Sequence, residues 1–263
     1  MTKHDALNES VLRELLGKHA HGMQILTLSE CASTNTLAKE LALSQHGVSA
    51  LIAADRQSAG RGRMGRSFHS PAGTGVYFSL LFPVEGALSS AVSITCAASV
   101  AVMRAIRATT GRQTEIKWVN DLLLDGKKVC GILTEAVTVG AQTSLVVGIG
   151  INVRPAVFPE ELKNIAGTLA DPDLPREQLI ARIVAELHPF LHAPQKREWL
   201  EDYKSYSCVI GKEILRIENG ISSPCYAEDI DCDGRLLVRH PDGRTEALQS
   251  GEISVRVREN ELH

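Results

Sequence analysis

Residues 57–68 read Gln57-Ser58-Ala59-Gly60-Arg61-Gly62-Arg63-Met64-Gly65-Arg66-Ser67-Phe68. Glycines let a backbone come close to a ligand and expose its N–H groups, while interleaved guanidiniums supply planar, permanently charged donors for phosphate and carboxylate. The run Gly60-x-Gly62-x-x-Gly65 also matches the dinucleotide-binding fingerprint letter for letter. That fingerprint needs a helix directly after its glycines, with a pyrophosphate at the helix N-terminus. Here Ser70-Pro71-Ala72-Gly73 follows instead, and then an apolar run from Val76 to Phe82 that reads as a strand. The context argues against a doubly wound parallel fold, and no Walker A sequence occurs. A long Gly/Arg/Ser-rich loop between two strands, Gln57 to Gly75, is of the kind that carries function.

Working outward, residues 8–19 read as a short helix with Asn8 or Ser10 as N-cap, and Gln24 to Leu28 as a first strand. Ser33-Thr34-Asn35 leads into a helix from Thr36 to Ser44, and Leu51 to Ala54 is a short buried strand. Downstream of the loop, Ser89 to Thr109 predicts a buried helix ended by Gly111. Strand-like runs follow at Glu115–Trp118, Leu122–Leu124 and Val129–Val139, with Asp125-Gly126 as a hairpin turn. Ser144 to Val153 is a further β run, and helices are expected over Arg176–Leu191 and Lys196–Ser207. At Gly211 the texture changes. Five short β runs (Glu213–Ile217, Ser223–Ile230, Leu236–His240, Thr245–Leu248, Ile253–Val257) are separated by Asn219-Gly220, Asp233-Gly234 and Asp242-Gly243, and predict a small β-barrel. The expected architecture is α+β: a mixed β-sheet packed with helices over 1–208, and a small C-terminal barrel over 209–263.

Of the 263 residues, 44% are apolar and 22% charged, a balance that predicts a packed core. The net charge of −3 provides no global field for nucleic acid or a membrane surface, so cationic function must be local, as in Arg56, Arg61, Arg63 and Arg66. The six cysteines are scattered without a C-x-x-C pair, which predicts reduced thiols and neither a zinc cluster nor a disulfide framework. No apolar targeting segment or membrane span is recognised, and the expected location is cytoplasmic.

Three further segments bear polar groups at element ends. Lys117-Trp118-Val119-Asn120-Asp121 joins two strands; Asn120 and Asp121 offer oxygens to a divalent ion or polar ligand, but taken alone the pair is better read as ordinary turn chemistry. Lys128 precedes Val129-Cys130-Gly131-Ile132-Leu133-Thr134-Glu135. Gly148-Ile149-Gly150-Ile151-Asn152 places two glycines inside a β run, which implies close approach of a ligand or of neighbouring backbone.

In this order, the segments resemble the catalytic domain of biotin–protein ligases over about residues 24–257. Ser33-Thr34-Asn35 matches that family's S-T-N, Gly60 to Phe68 its G-R-G-R-x-G-R-x-W loop, and Lys117 to Asp121 its K-W-P-N-D. Lys128 to Glu135 matches K-x-x-G-I-L-x-E, Gly148 to Asn152 matches G-x-G-I-N, and Gly251 to Arg256 matches the closing G-E-I-S-x-R. Phe68 departs from the usual tryptophan, keeping a π-face but losing area and the indole N–H, and Val119 departs from a common proline.

The resemblance implies a class II synthetase-like catalytic domain with a C-terminal SH3-like barrel, and ATP, Mg²⁺ and biotin as reactants. It implies biotin contacts at Ser33, Thr34, Asn35, Gln57, Arg61, Gly62, Arg63, Lys128 and Gly131. Adenylate contacts fall on Arg63, Arg66, Phe68, Asn120, Ile151, Asn152 and Arg256, with Asn120 also a metal ligand. Lys128, Arg61 and Arg63 would stabilise charge in the reaction, and Asp121 would orient or accept a proton. The implied acceptor is the biotin carboxyl carrier protein domain of acetyl-CoA carboxylase, and relatives that dimerise suggest a homodimer. Some family members carry an N-terminal winged helix-turn-helix; about 23 residues precede the first strand here, so no sequence-specific DNA binding and no membrane partner are expected. Two other readings stand beside this one: a lipoate or octanoate protein ligase, and a non-catalytic nucleotide- or RNA-binding module.

Overall fold

The computed structural model describes residues 6–84, 91–218, 220–249 and, for the backbone, 253–257. Ser89, Asn219, Gly251 and Glu252 therefore lie outside the described residues, as does the side chain of Arg256.

Helix α1 (Glu9–Leu16) is capped by Asn8, whose side chain accepts the Val11 N–H. Then come β1 (Met23–Leu28), α2 (Thr34–Ser44), β2 (Ser49–Ala54), β3 (Gly75–Val84) and α3 (Ala91–Thr110). The chain continues through β4 (Glu115–Lys117), β5 (Asp121–Leu124), β6 (Lys127–Val139), β7 (Gln142–Asn152), α4 (Arg176–His192) and α5 (Leu200–Ser205). The C-terminal strands are β8 (Glu213–Glu218), β9 (Ile221–Ile230), β10 (Leu236–Arg239), β11 (Thr245–Leu248) and β12 (Ile253–Val257). Asp125 and Gly126 both adopt positive φ, the geometry a two-residue hairpin demands, and they close β5 onto β6. Helix α5 starts later than the sequence suggests, because a 3-10 turn at Pro194–Lys196 and Arg197 at φ +50 interrupt the chain first.

The strands form one seven-stranded sheet, β1-β2-β3-β7-β6-β5-β4, in which only β1 and β2 run parallel, joined by α2. The expected mixed sheet is present. Alternation along each strand divides its side chains between two covered faces. Ala50, Ile52, Leu81 and Val146 pack against Ala38 and Ala42 of α2. Leu51, Phe78, Leu80, Val147, Ile149 and Ile151 face the main core with α3 and α4. By length and composition α3 could cross a membrane, but 72% of its apolar window is buried inside the protein.

The C-terminal strands form a separate antiparallel sheet in the order β11-β10-β9-β8-β12. Its buried residues Ile214, Ala227, Ile230, Leu236 and Val238 belong to the same apolar core as the large sheet. Backbone hydrogen bonds from Ile116 to Tyr206 (2.7 Å) and from Cys208 to Ile116 (2.9 Å) tie β4 to the approach of this sheet.

Candidate active site

On the α2 side of the large sheet lies a cleft of about 760 Å³. It is lined by Ser33, Thr34, Asn35, Gln57, Arg61, Gly62, Arg63, Arg66, Phe68, Asn120, Asp121, Lys128, Gly131 and Asn152. Residues as far apart as Ser33 and Ala166, 133 positions, thus meet in one place. Ile151 does not. It is fully buried, because Gly150 and Asn152 take the cleft face and strand alternation turns Ile151 into the α3–α4 core. Its side chain thus points away from the cleft, and the side chain of Arg256 falls outside the described ones.

One end of the cleft is a hydrogen-bonding network of uncharged side chains that terminates on a charged cluster. Gln57 Oε1 accepts from the Thr34 N–H (2.9 Å) and from Thr34 Oγ1 (3.2 Å), and Gln57 Nε2 donates to Ser70 Oγ (3.1 Å). Ser79 Oγ lies 2.8 Å from Thr34 Oγ1 and 2.6 Å from Asn35 Oδ1. Asn35 Nδ2 donates to the Leu133 carbonyl (3.2 Å) and to Glu135 (3.0 Å). Glu135 also pairs with Lys39 (2.9 Å) and Arg61 (3.4 Å). Burial opposes ionisation of Glu135, but hydrogen bonds from Asn35 and Lys39 and the charges of Lys39 and Arg61 outweigh it, holding the carboxyl below the usual range.

The floor is glycine. A Cβ on Gly148 would lie 1.9 Å from Asn35 Oδ1, and one on Gly150 would lie 2.6 Å from the Phe68 ring. Gly131, the β6 neighbour of Gly150, underlies both Phe68 and the Lys128 side chain. The glycines thus let two site residues lie directly on the sheet. Phe68 meets Tyr77 edge-on with ring centroids 6.4 Å apart.

The arginine–glycine segment is an ordered excursion. Gln57 N–H bonds to the Ser70 carbonyl (3.1 Å), Phe68 N–H to Gly60 (2.9 Å) and Gly62 N–H to Arg66 (2.7 Å). Met64 and Gly65 turn it through positive φ. Arg63 Nη1 donates to Asn120 Oδ1 at 3.0 Å. Burial pushes the pKa of the Arg63 guanidinium down and the charge of Asp121 pulls it back up, so Arg63 is a partly desolvated cation. Lys128 Nζ lies 2.6 Å from Asp121 Oδ1. A strap over 162–167 is stitched to the same lysine: its N–H donates to Ile165 and its carbonyl accepts from Gly167, both at 2.8 Å.

The sequence reading missed Ser79 and Lys39 and gave Glu135 no role. Ser79 had a signal, as the one small polar residue inside the apolar run Val76–Phe82. Lys39 had none, since nothing local to α2 announces a carboxylate on β6.

Residues 29–152 match the model of the biotin/lipoate A/B protein ligase family, and residues 226–256 that of the biotin protein ligase C-terminal domain. A biotin–[acetyl-CoA-carboxylase] ligase of Paracoccus denitrificans is 35% identical over 242 residues, 86% of this chain and 98% of that protein. The chain belongs to the biotin protein ligase family. Another member, a bifunctional ligase/repressor of Bacillus subtilis, is 42% identical over 62% of this chain, which spans about half (51%) of that relative's length. Among biotin protein ligase structures, the one from Aquifex aeolicus in complex with biotin and ATP aligns with a TM-score of 0.73 at 28% identity, covering 89% of this chain and 99% of that one.

Magnesium, implied by the family resemblance, finds no protein cage here. Asn120 commits Oδ1 to Arg63 and Nδ2 to the Ile132 carbonyl (2.9 Å), and among the described residues no group of three His, Cys, Asp or Glu side chains could hold an ion. Asn120 Oδ1 already accepts from Arg63 here, and no step is assigned to a metal at Asn120.

Proposed function

We propose that this protein is an ATP-dependent biotin–protein ligase that forms biotinyl-5′-AMP and passes biotin to a lysine of a carrier protein domain. The observation that carries this reading is the meeting of Lys128, Arg61 and Arg63 in one cleft whose other end is the uncharged Ser33–Thr34–Asn35–Gln57 network. A carboxylate and a polyphosphate repel each other, and fixed cations aimed at their meeting point lower that barrier.

In the first step a carboxylate oxygen of biotin bonds to the α-phosphorus of ATP, the bond to the β-phosphate bridge breaks and pyrophosphate leaves. Lys128 bridges the two anions, Arg61 and Arg63 hold the carboxylate and phosphate side, and Arg66 lines the same cleft. Phe68, lying on Gly150 and Gly131, offers the nucleobase a ring face, beside Asn152. Thr34 and Gln57 read the ureido ring; buried donors and acceptors of this kind reject acids that lack a urea. In the second step the neutral ε-amine of the carrier lysine attacks the acyl carbon and AMP leaves with the bonding pair. Asp121, beside Lys128, orients the proton that the amine loses. The acceptor class is the biotin carboxyl carrier domain of acetyl-CoA carboxylase. All six cysteines are free, as suits a reducing cytoplasm.

Incubation with biotin, ATP, magnesium and a carrier domain should raise the carrier's mass by one biotinyl group. Pyrophosphate exchange with biotin, lipoate and octanoate in separate tubes discriminates the acids. Exchange driven by lipoate or octanoate and not by biotin would overturn the assignment.

A further inference from the structure

One contact between the small C-terminal sheet and the rest of the chain ends at the cleft. Trp118 lines the cleft yet is only 3% exposed, and its indole Nε1–H donates to the Gly234 carbonyl at 2.9 Å. Gly234 lies in the turn between β9 and β10. A Cβ there would stand 2.9 Å from Cys96 Sγ and 3.2 Å from Val92 on α3, and its φ is +83, so the turn is pressed flat against that helix.

The turn is itself rigidly built. Asp231 Oδ1 accepts the N–H groups of Asp233 and Arg235 (2.9 Å each), and Asp231 Oδ2 accepts from Arg235 Nε at 2.6 Å. Arg197 donates to the Cys232 carbonyl and pairs with Asp233 (2.9 Å), and Lys204 pairs with Asp229 (2.7 Å). On the other side of Trp118, the Val119 carbonyl accepts from Tyr203 Oη at 3.1 Å. The next two residues are the partners of the reacting cations: Asn120 holds Arg63 and Asp121 holds Lys128.

We infer that the β9–β10 turn is a positioning element for the active site, with Trp118 the positioning residue through which it acts. The turn fixes the indole, the indole fixes the backbone of Trp118–Asp121, and that backbone sets where Arg63 and Lys128 stand. This rests on the biotin-ligase reading of the cleft and assigns the contact to one indole hydrogen bond.

The test uses the full chain with Trp118→Phe, which removes the N–H and keeps most of the apolar bulk. Tyr203→Phe, which removes the shorter of the two hydroxyl bonds to the Val119 carbonyl and leaves that of Ser99 (3.5 Å), is the second variant. Expected in biotin-dependent pyrophosphate exchange is a fall in kcat by roughly tenfold or more with a small change in KM for biotin, as displaced reacting groups produce. The Ile132 amide, which donates to the Asn120 carbonyl at 2.9 Å, should exchange its hydrogen faster while amides of the β2–β3 ladder hold their rates. An unchanged kcat per folded molecule, or an Ile132 amide that quickens only in step with β2–β3, overturns the inference even if melting temperature falls. A wild type without biotin-dependent exchange sinks the functional reading instead, and the Ile132 amide then decides the positioning claim alone.

Discussion

Lys128 reaches Asp121 because the β5–β6 ladder slips between Leu122 and Leu123. Asp121 pairs with Gly131 and Leu122 with Cys130, but Leu123 pairs with Lys128, leaving Val129 as an extra residue. Strict alternation from Gly131 would send Lys128, three positions away, to the opposite face. The bulge returns it to the cleft, where its ammonium stands 2.6 Å from Asp121.

Lys128→Ala should therefore reduce biotin-dependent pyrophosphate exchange on the order of a hundredfold or more, the typical loss when one transition-state donor is removed. Stability should change little, since the lysine is at the cleft and outside the core. Steady-state exchange beside a thermal melt checks both halves, and full exchange activity in the variant would remove Lys128 from the reacting groups.

Glu135 makes stability depend on pH in a defined direction. Its folded pKa lies below the ordinary 4.5, so the unfolded chain takes up the proton first as pH falls. The stabilisation is fully present above about that ordinary value and is lost as pH falls through the folded one. Wild type should melt above Glu135→Gln at pH 7, by on the order of 1 kcal/mol for a partly exposed cluster. The gap should close under more acidic conditions; a gap independent of pH would refute the assignment.

Gly150→Ala places a methyl group where the Phe68 ring now lies. The ring must lift off the sheet, and KM for ATP should rise by about tenfold, equivalent to about 1.4 kcal/mol, with kcat less affected. Initial rates over a range of ATP concentrations measure the split.

Ser79→Ala removes a buried hydroxyl that lies between Thr34 and Asn35. Their oxygens lose that partner in a site closed to bulk water, at a cost of about 1–3 kcal/mol. Chemical denaturation should show that loss, together with weaker biotin affinity by calorimetry. Unchanged values in both would remove Ser79 from the network's function.

Much of the site is written locally. The strands announce themselves by apolar alternation, the β5–β6 hairpin by Asp125-Gly126, and the ligand-facing loop by glycine and arginine together. The pairing of Gly148 and Gly150 with inward-turned Ile149 and Ile151 was also legible, since alternation puts neighbours on opposite faces. Ser79 was legible as a polar residue in an apolar strand. The Lys39–Glu135–Arg61 cluster was not, because its members lie on a helix, a strand and a loop that only strand order brings together.

The chain's local chemistry thus determined which segments are helix, strand and turn, and which of them carry groups fit for anions. Tertiary structure alone decided which cation faces which carboxylate, that Lys128 turns into the cleft through a bulge, and that the Gly234 carbonyl holds Trp118. The reason is physical: turn geometry and alternation depend on neighbours a few residues away, whereas a bulge, an ion pair or a buried indole hydrogen bond depends on surfaces that meet only once the sheets have packed.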